Sequence, residues 1–315
     1  MKWRILISAP YLQPVIDEYR QVFDAHQAEI VLPEVYERLT ELQLLDLIGD
    51  IDGVVAGDDQ FTRKVLEKAA PRLKVISKWG TGVDSFDHDA CREMGVAIRN
   101  TPDAFIDPVA DSVMGYLLCF ARRLPWMDAQ MKNGLWDKIP GKALNETTLG
   151  IIGVGRIGKA VARRARSFGV RLLGFDLVEM PTEFIAETGM DMADKEILLQ
   201  SSDFISLNCD LNPTSYHLIG AAEFAMMRSS AVVINLARGP IVDELALVSA
   251  LQNQALAGAA LDVFEDEPLP QGSPLRAMGN VMLAPHNSNS SPRAWQRVHE
   301  STLQNLFDTL EGGMA

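Results

Sequence analysis

Leu149-Gly150-Ile151-Ile152-Gly153-Val154-Gly155-Arg156-Ile157-Gly158 decides how this chain folds. An apolar run leads into glycines spaced G-x-G-x-x-G, and a segment of helical period, 157–168, follows. That order reads as strand, tight turn, helix. Gly153 permits the turn, Gly155 lets a pyrophosphate approach the backbone, and Gly158 lets the helix pack closely on the strand. The helix start at Arg156 and Ile157 presents free N–H groups and a partial positive charge to phosphates. Asp176 closes the next apolar run, roughly 20 residues beyond the glycines. A carboxylate there accepts from ribose hydroxyls and repels a 2′-phosphate, so the expected dinucleotide is NAD rather than NADP.

The same alternation extends in both directions. Upstream, 4–8, 29–32, 53–56, 73–77 and 96–98 read as strands, with helical segments such as 62–70 and 87–94 between them. From the glycine loop onward, 149–153, 171–176, 203–207, 231–235, 257–262 and 281–284 read as strands, with helices at 157–168 and 243–254. Strands that alternate with helices imply parallel sheets covered by helices. The restart implies two separate α/β sheets. Residues 106–136 look mostly helical, with Pro108 suited to the first turn and Pro125 expected to kink or split the helix. Residues 292–310 read as one amphipathic helix.

Composition narrows the function. With 29 Lys and Arg against 42 Asp and Glu, the net charge is −13, which disfavours a nucleic-acid partner. Cys91, Cys119 and Cys209 are far apart and form no CxxC or Cys/His cluster, so neither a zinc site nor a disulfide framework is expected. The apolar run Ile5-Leu6-Ile7 is too short for a signal peptide, and no run is long enough to span a membrane. A cytoplasmic protein is the expectation.

Carbonyl chemistry beside a nicotinamide needs a group that holds an anion, a group that moves a proton, and a partner for the second. Asn235-Leu236-Ala237-Arg238-Gly239-Pro240 follows a strand end, where ligands of open sheets lie, and Arg238 can bind a carboxylate bidentately. Asp262-Val-Phe-Glu265-Asp266-Glu267 follows the next strand, and Pro285-His286-Asn287 the last. A carboxylate partner favours a charged imidazolium and orients the ring. His26, His88, His217 and His299 have no comparable setting and are read as structural.

These residues resemble the D-2-hydroxyacid dehydrogenases, the family of phosphoglycerate, glyoxylate/hydroxypyruvate and D-lactate dehydrogenases. The matches run in order through Lys78–Asp84, Asn100-Thr-Pro102, Gly153–Gly158 with Asp176, Ile234–Gly239, Asp262–Pro268 and Pro285-His286. The resemblance implies an α/β protein of two Rossmann-like or flavodoxin-like doubly wound domains with a cleft between them. The substrate domain would be discontinuous, 1–99 with 287–315, and the NAD domain would be 100–286. It implies a catalytic triad of Arg238, Glu267 and His286. Leu236, Ala237, Asp262, Asn287, Ser288 and Asn289 would lie at the nicotinamide, and Lys78, Trp79, Gly80, Thr81 and Gly82 at the substrate. A homodimer is implied as well.

Some positions depart from the family pattern. Asp58 and Asp59 stand in an early loop where phosphoglycerate dehydrogenases commonly carry an Arg, and two carboxylates there would repel a phosphate. Lys78 could compensate, though a lysine beside a strand end is ordinarily solvated. Asp111 stands where many relatives have Glu, and Asn287-Ser-Asn-Ser replaces the usual glycine pair. Glu267 argues against the formate dehydrogenases, which pair the His with Gln. Thr81 stands where phosphite dehydrogenases carry Lys. Two alternatives stay open, a 3-phosphoglycerate dehydrogenase and an NAD-sensing corepressor-type binding protein.

Overall fold

Short runs of β-branched and aliphatic residues pair in parallel throughout the computed structural model, which describes residues 2–312. The chain divides into two units. One runs to Phe105 and resumes at Ser291, and the other is Ile106–Ser290.

The first unit holds β1 (Trp3–Ile7), β2 (Ala28–Val31), β3 (Gly53–Ala56), β4 (Val75–Lys78) and β5 (Ala97–Arg99). They lie in the order β2-β1-β3-β4-β5, all parallel. The period of two sends alternate side chains to opposite faces. Leu6, Val54 and Ile76 meet Leu44, Val65, Leu66 and Ala90 from the helices on one face. Ile5, Ile7, Val55 and Val75 meet Val298, Leu303, Leu306 and Phe307 of the helix Pro292–Gly312 on the other. Burial on both faces explains why the strands read as continuous apolar runs.

The second unit holds β6 (Thr148–Ile152), β7 (Arg171–Phe175), β8 (Asp191–Met192), β9 (Phe204–Leu207), β10 (Val232–Asn235), β11 (Gly258–Leu261) and β12 (Val281–Leu283). Their order is β12-β11-β10-β9-β6-β7-β8, again parallel. The chain leaves β6 through β7 and β8 on one side, then crosses to β9 on the other. The carboxyl ends of β6 and β9 therefore flank the switch point where open sheets take ligands. All eleven expected strands are present. β8 was not expected, because two exposed residues at a sheet edge carry no periodic pattern.

The helical stretch expected over 106–136 is split near Pro125, as expected, into Ile106–Arg122 and Leu124–Lys132. Arg123 between them has φ +56°, and Pro125 sits in the first turn of the second. Residues 133–136 are not helical, so Trp136 lies outside. Arg164 donates to Asp111 at 2.6 Å and Asp107 at 2.8 Å, tying the helix Arg156–Ser167 to Ile106–Arg122. Among the described residues no helix is long and apolar enough to cross a membrane.

Candidate active site

The glycine loop follows β6 with Gly153 at φ +86°, a conformation that favours glycine. A Cβ on Gly153 would lie 2.5 Å from the Cys209 nitrogen, just past β9, and one on Gly158 would overlap the Gly153 carbonyl oxygen. Packing alone accounts for both glycines. Gly155 differs, since a Cβ there would meet nothing within 4 Å. Gly155 caps the helix Arg156–Ser167, so the open space faces the first N–H groups of Arg156 and Ile157. This combination of bare backbone, helix start and open approach fits a pyrophosphate.

Asp176 follows β7. One of its oxygens accepts from the Val154 N–H at 2.6 Å and the other from the Val178 N–H at 2.9 Å. It braces the glycine loop, a task its spacing did not reveal. A carboxylate has about four lone-pair positions, so acceptor capacity remains for ribose hydroxyls.

The neighbouring ends of β10, β11 and β12 carry the other polar groups. After β10 the Asn235 side chain clamps the turn, donating to the Arg238 carbonyl at 2.9 Å and accepting from the Ala237 N–H at 3.1 Å. Arg238 is half-buried and donates to the Ala237 carbonyl at 2.9 Å. The Leu236 side chain is buried. A Cβ on Gly239 would overlap the Phe264 carbonyl, so the strip beyond Arg238 lies directly on the loop that carries Glu267. In that loop one Glu267 oxygen accepts from the Phe264 N–H at 2.9 Å, and the other lies 3.0 Å from His286 Nδ1. The ionised carboxylate only accepts, so that contact places the imidazole proton on Nδ1.

Asp262, placed at the nicotinamide by resemblance, is fully buried. Its oxygens accept from the Asn287 N–H at 2.7 Å and the Ser288 N–H at 2.8 Å, and its carbonyl accepts from the His286 N–H at 2.8 Å. It shapes the loop that presents His286, whose φ is +51°. The Asn287 and Ser288 amides are thus turned inward, and Ser288 is buried while Asn289 is half-buried. His217, read as structural, also meets a carboxylate. Its Nε2 lies 2.8 Å from Oε1 of Glu265, which shares the loop of Glu267. No motif marks this contact, because the partners approach from distant segments.

The segment Lys78–Gly82 lies in the other unit. Gly80 has φ +118°. Its carbonyl accepts from the Thr101 N–H at 2.8 Å, and the Thr81 carbonyl accepts from the Asn100 side chain at 2.7 Å. The N–H groups of Gly80, Thr81 and Gly82 have no acceptor among the described residues. Thr81 Oγ1 donates to the Thr101 carbonyl at 3.1 Å. Trp79 does not join this open side. Its indole is buried against Tyr11, Phe105 and Trp295, and its N–H donates to His299 Nδ1 at 2.9 Å. Lys78 is not solvated either. It is buried, with Nζ 3.2 Å from an Asp58 oxygen and 3.1 Å from the Trp79 carbonyl.

Known proteins show what the whole chain is similar to. The profile of the D-isomer specific 2-hydroxyacid dehydrogenase, NAD binding domain, matches residues 114–288. A D-3-phosphoglycerate dehydrogenase of Methanocaldococcus jannaschii is 37% identical over 99% of the chain, which spans 58% of that relative's length. A glyoxylate/hydroxypyruvate reductase B of Klebsiella pneumoniae is 33% identical over the whole chain and 97% of its own. The structure of a D-lactate dehydrogenase from Aquifex aeolicus, solved with NAD and lactic acid, superposes with a TM-score of 0.88 at 26% identity, covering 98% of this chain and 96% of that one.

Proposed function

The chain belongs to the D-isomer specific 2-hydroxyacid dehydrogenase family, and on that premise we propose that it interconverts a D-2-hydroxy acid and its 2-oxo acid with NAD as cofactor. The observation that carries this reading is the 3.0 Å contact of His286 Nδ1 with Glu267, held beside the Arg238 turn in the same unit. When bound, NAD supplies the hydride acceptor or donor. Gly155 and the N–H groups of Arg156 and Ile157 would hold its phosphates, Gly153 and Gly158 would shape the turn that presents them, and Asp176 would hold its ribose. Leu236, Ala237 and the Asn287–Asn289 loop border the nicotinamide through their backbone.

His286 moves the proton. With Nδ1–H directed at Glu267, Nε2 is the atom that donates to the carbonyl oxygen in reduction and accepts from the hydroxyl in oxidation. Glu267 fixes the ring and stabilises the imidazolium. Arg238 holds the substrate anion bidentately. The N–H groups of Gly80, Thr81 and Gly82 hold a carboxylate, and the unit that carries them is the substrate domain.

Two finer assignments belong to the same reading. The chain forms a homodimer through the face that leaves Leu124, Met131, Leu135 and Trp136 exposed, Trp136 by 85%. A dimer mass in light scattering that falls to the monomer on Trp136→Ser supports this, and a monomeric wild type rejects it. Three free thiols support a reducing, cytoplasmic setting.

The activity is tested by following NADH consumption with a panel of small 2-oxo acids. His286→Gln should lower turnover about 10²–10⁴-fold and leave NADH affinity near its wild-type value. Full turnover in that variant rejects the proton role. NADH binding without consumption of any acid points instead to a sensor.

A further inference from the structure

We propose that His217 is a positioning residue for the reaction, a strut that ties the Arg238 turn to the loop that carries Glu267. This rests on the reading of Arg238, Glu267 and His286 as the groups that meet the substrate.

The backbone of His217 is fastened to the first of these elements. Residues 217–219 run beside 240–243, the strip just beyond Arg238. The His217 N–H donates to the Pro240 carbonyl at 2.8 Å, the Ile219 N–H to the Ile241 carbonyl at 3.1 Å, and the Asp243 N–H back to the Ile219 carbonyl at 3.0 Å. His217 has φ +47°, a conformation that is costly for a residue with a Cβ and persists only where its surroundings impose it. The Tyr216 ring stacks on the imidazole, with centroids 4.1 Å apart and planes 15° from parallel.

The ring of His217 reaches the second element. Nε2 lies 2.8 Å from Glu265 Oε1, and an ionised carboxylate only accepts, so the ring donates. The same oxygen accepts from the Glu244 N–H at 3.2 Å, and the Glu265 N–H donates to a Glu244 carboxyl oxygen at 3.3 Å. Burial pushes the Glu244 carboxyl pKa up, and the neighbouring Glu265 and Asp266 add to the effect, so the imidazole N–H enters a corner crowded with negative charge. Glu265 stands two residues before Glu267, one of whose oxygens is held by the Phe264 N–H at 2.9 Å.

Strip and loop also touch directly. A Cβ on Gly239 would overlap the Phe264 carbonyl and lie 2.5 Å from the Glu265 nitrogen. Contact of that kind resists compression but not sliding or separation, which a directional hydrogen bond opposes. The path from Pro240 through His217 to Glu265 closes a circuit by way of Phe264 and Gly239, with Arg238 next to one limb and Glu267 next to the other. The two side chains are 33% and 34% exposed, so the pair adds little to stability. Its removal should register in the rate of the chemical step instead.

Steady-state rates with NADH and glyoxylate, hydroxypyruvate or pyruvate test this, expressed per NADH-binding site so that unfolded protein does not count. His217→Leu should lower kcat about 10–100-fold, the scale of a 1 Å misplacement of reacting groups, and leave the dissociation constant of NADH unchanged. His217→Gln, whose amide N–H can again reach Glu265, should recover most of kcat. Glu265→Ala should also lower kcat, and the double variant His217→Leu/Glu265→Ala should fall no further than the slower single one, because both remove one contact. Wild-type kcat in His217→Leu with only a loss of urea stability overturns the inference. So does a His217→Gln as slow as His217→Leu, or a double variant in which the two losses multiply. If His217→Leu fails to fold, Glu265→Ala against Glu265→Gln, which keeps the acceptor oxygen, makes the same comparison. Turnover of no 2-oxo acid by an NADH-binding wild type overturns the enzymatic reading itself, an outcome distinct from a wild type whose rate ignores His217.

Discussion

A methyl group added at Gly155 separates the demands of folding from those of binding. Gly155 has φ −72°, a value that alanine adopts readily, and its Cβ would meet nothing within 4 Å. Gly155→Ala should therefore leave stability within about 0.5 kcal/mol of wild type in urea unfolding, and weaken NAD binding roughly tenfold or more in titration. Gly158→Ala should behave in the opposite order. Its Cβ would overlap the Gly153 carbonyl, so the helix must move, at a cost of about 1–3 kcal/mol. A stability loss at Gly155 equal to that at Gly158 would remove the pyrophosphate argument. The glycine spacing was legible because Gly153 and Gly158 are required by close backbone approaches that a strand-turn-helix context announces. Trp79 and Lys78 were less so. Nothing in Lys78-Trp79-Gly80 says that the indole turns into the core and the ammonium is buried against Asp58, since both depend on neighbours distant along the chain.

The loop from Pro285 to Ser290 owes its shape to one buried carboxylate. Asp262→Ala would leave the Asn287 and Ser288 N–H groups without their acceptors, and Ser288 is buried. Unsatisfied donors of this kind cost about 1–3 kcal/mol each. The substitution should lower stability by about 2–4 kcal/mol in denaturant unfolding and reduce kcat more than cofactor affinity, because His286 loses the frame that holds φ at +51°. Unchanged kcat would mean that the loop is shaped elsewhere. At this scale most of the fold was readable. Strands buried on both faces declare themselves as apolar runs, and the parallel sheets follow from the helices between them. The exceptions share a cause. β8 has only two residues, and the helix break that Pro125 announced is turned at a single residue, Arg123 at φ +56°, so neither the strand nor the turning residue leaves a periodic trace. Pro125 marked the neighbourhood of the break but not its geometry.

The chain returns to its first unit only at the end, and that return closes one face of the sheet. The helix Pro292–Gly312 buries Val298, Leu303, Leu306, Phe307 and Leu310 there. The Ser77 hydroxyl donates to the Thr302 carbonyl at 2.8 Å, and a Cβ on Gly53 would lie only 2.8 Å from Leu306, so helix and sheet are fitted closely. His299 adds a pH dependence. Burial holds its pKa below the ordinary 6.5, in agreement with its unprotonated Nδ1 accepting from Trp79. A base with a depressed folded pKa contributes in full above its unfolded value, and the contribution fades as pH falls below about 6.5 and through the folded pKa. Acid unfolding of the first unit should therefore begin at lower pH in His299→Gln than in wild type, unless the substitution itself destabilises at neutral pH, which the pH 8 baseline reads directly. Removal of the helix is the larger perturbation. At about 1.5–3 kcal/mol for each buried apolar side chain, its loss is on the order of 10 kcal/mol, comparable with the 5–15 kcal/mol that holds an entire domain together. A chain ended after Ser290 should therefore lose the first unit, seen as rapid proteolysis of the segment before Phe105. The unit Ile106–Ser290 keeps its own sheet, its glycine loop and Asp176, so NAD titration should still give binding within about tenfold of wild type. If the shortened chain resists proteolysis throughout, the sheet face must find other cover. If it loses NAD affinity altogether, the cofactor unit does not stand alone.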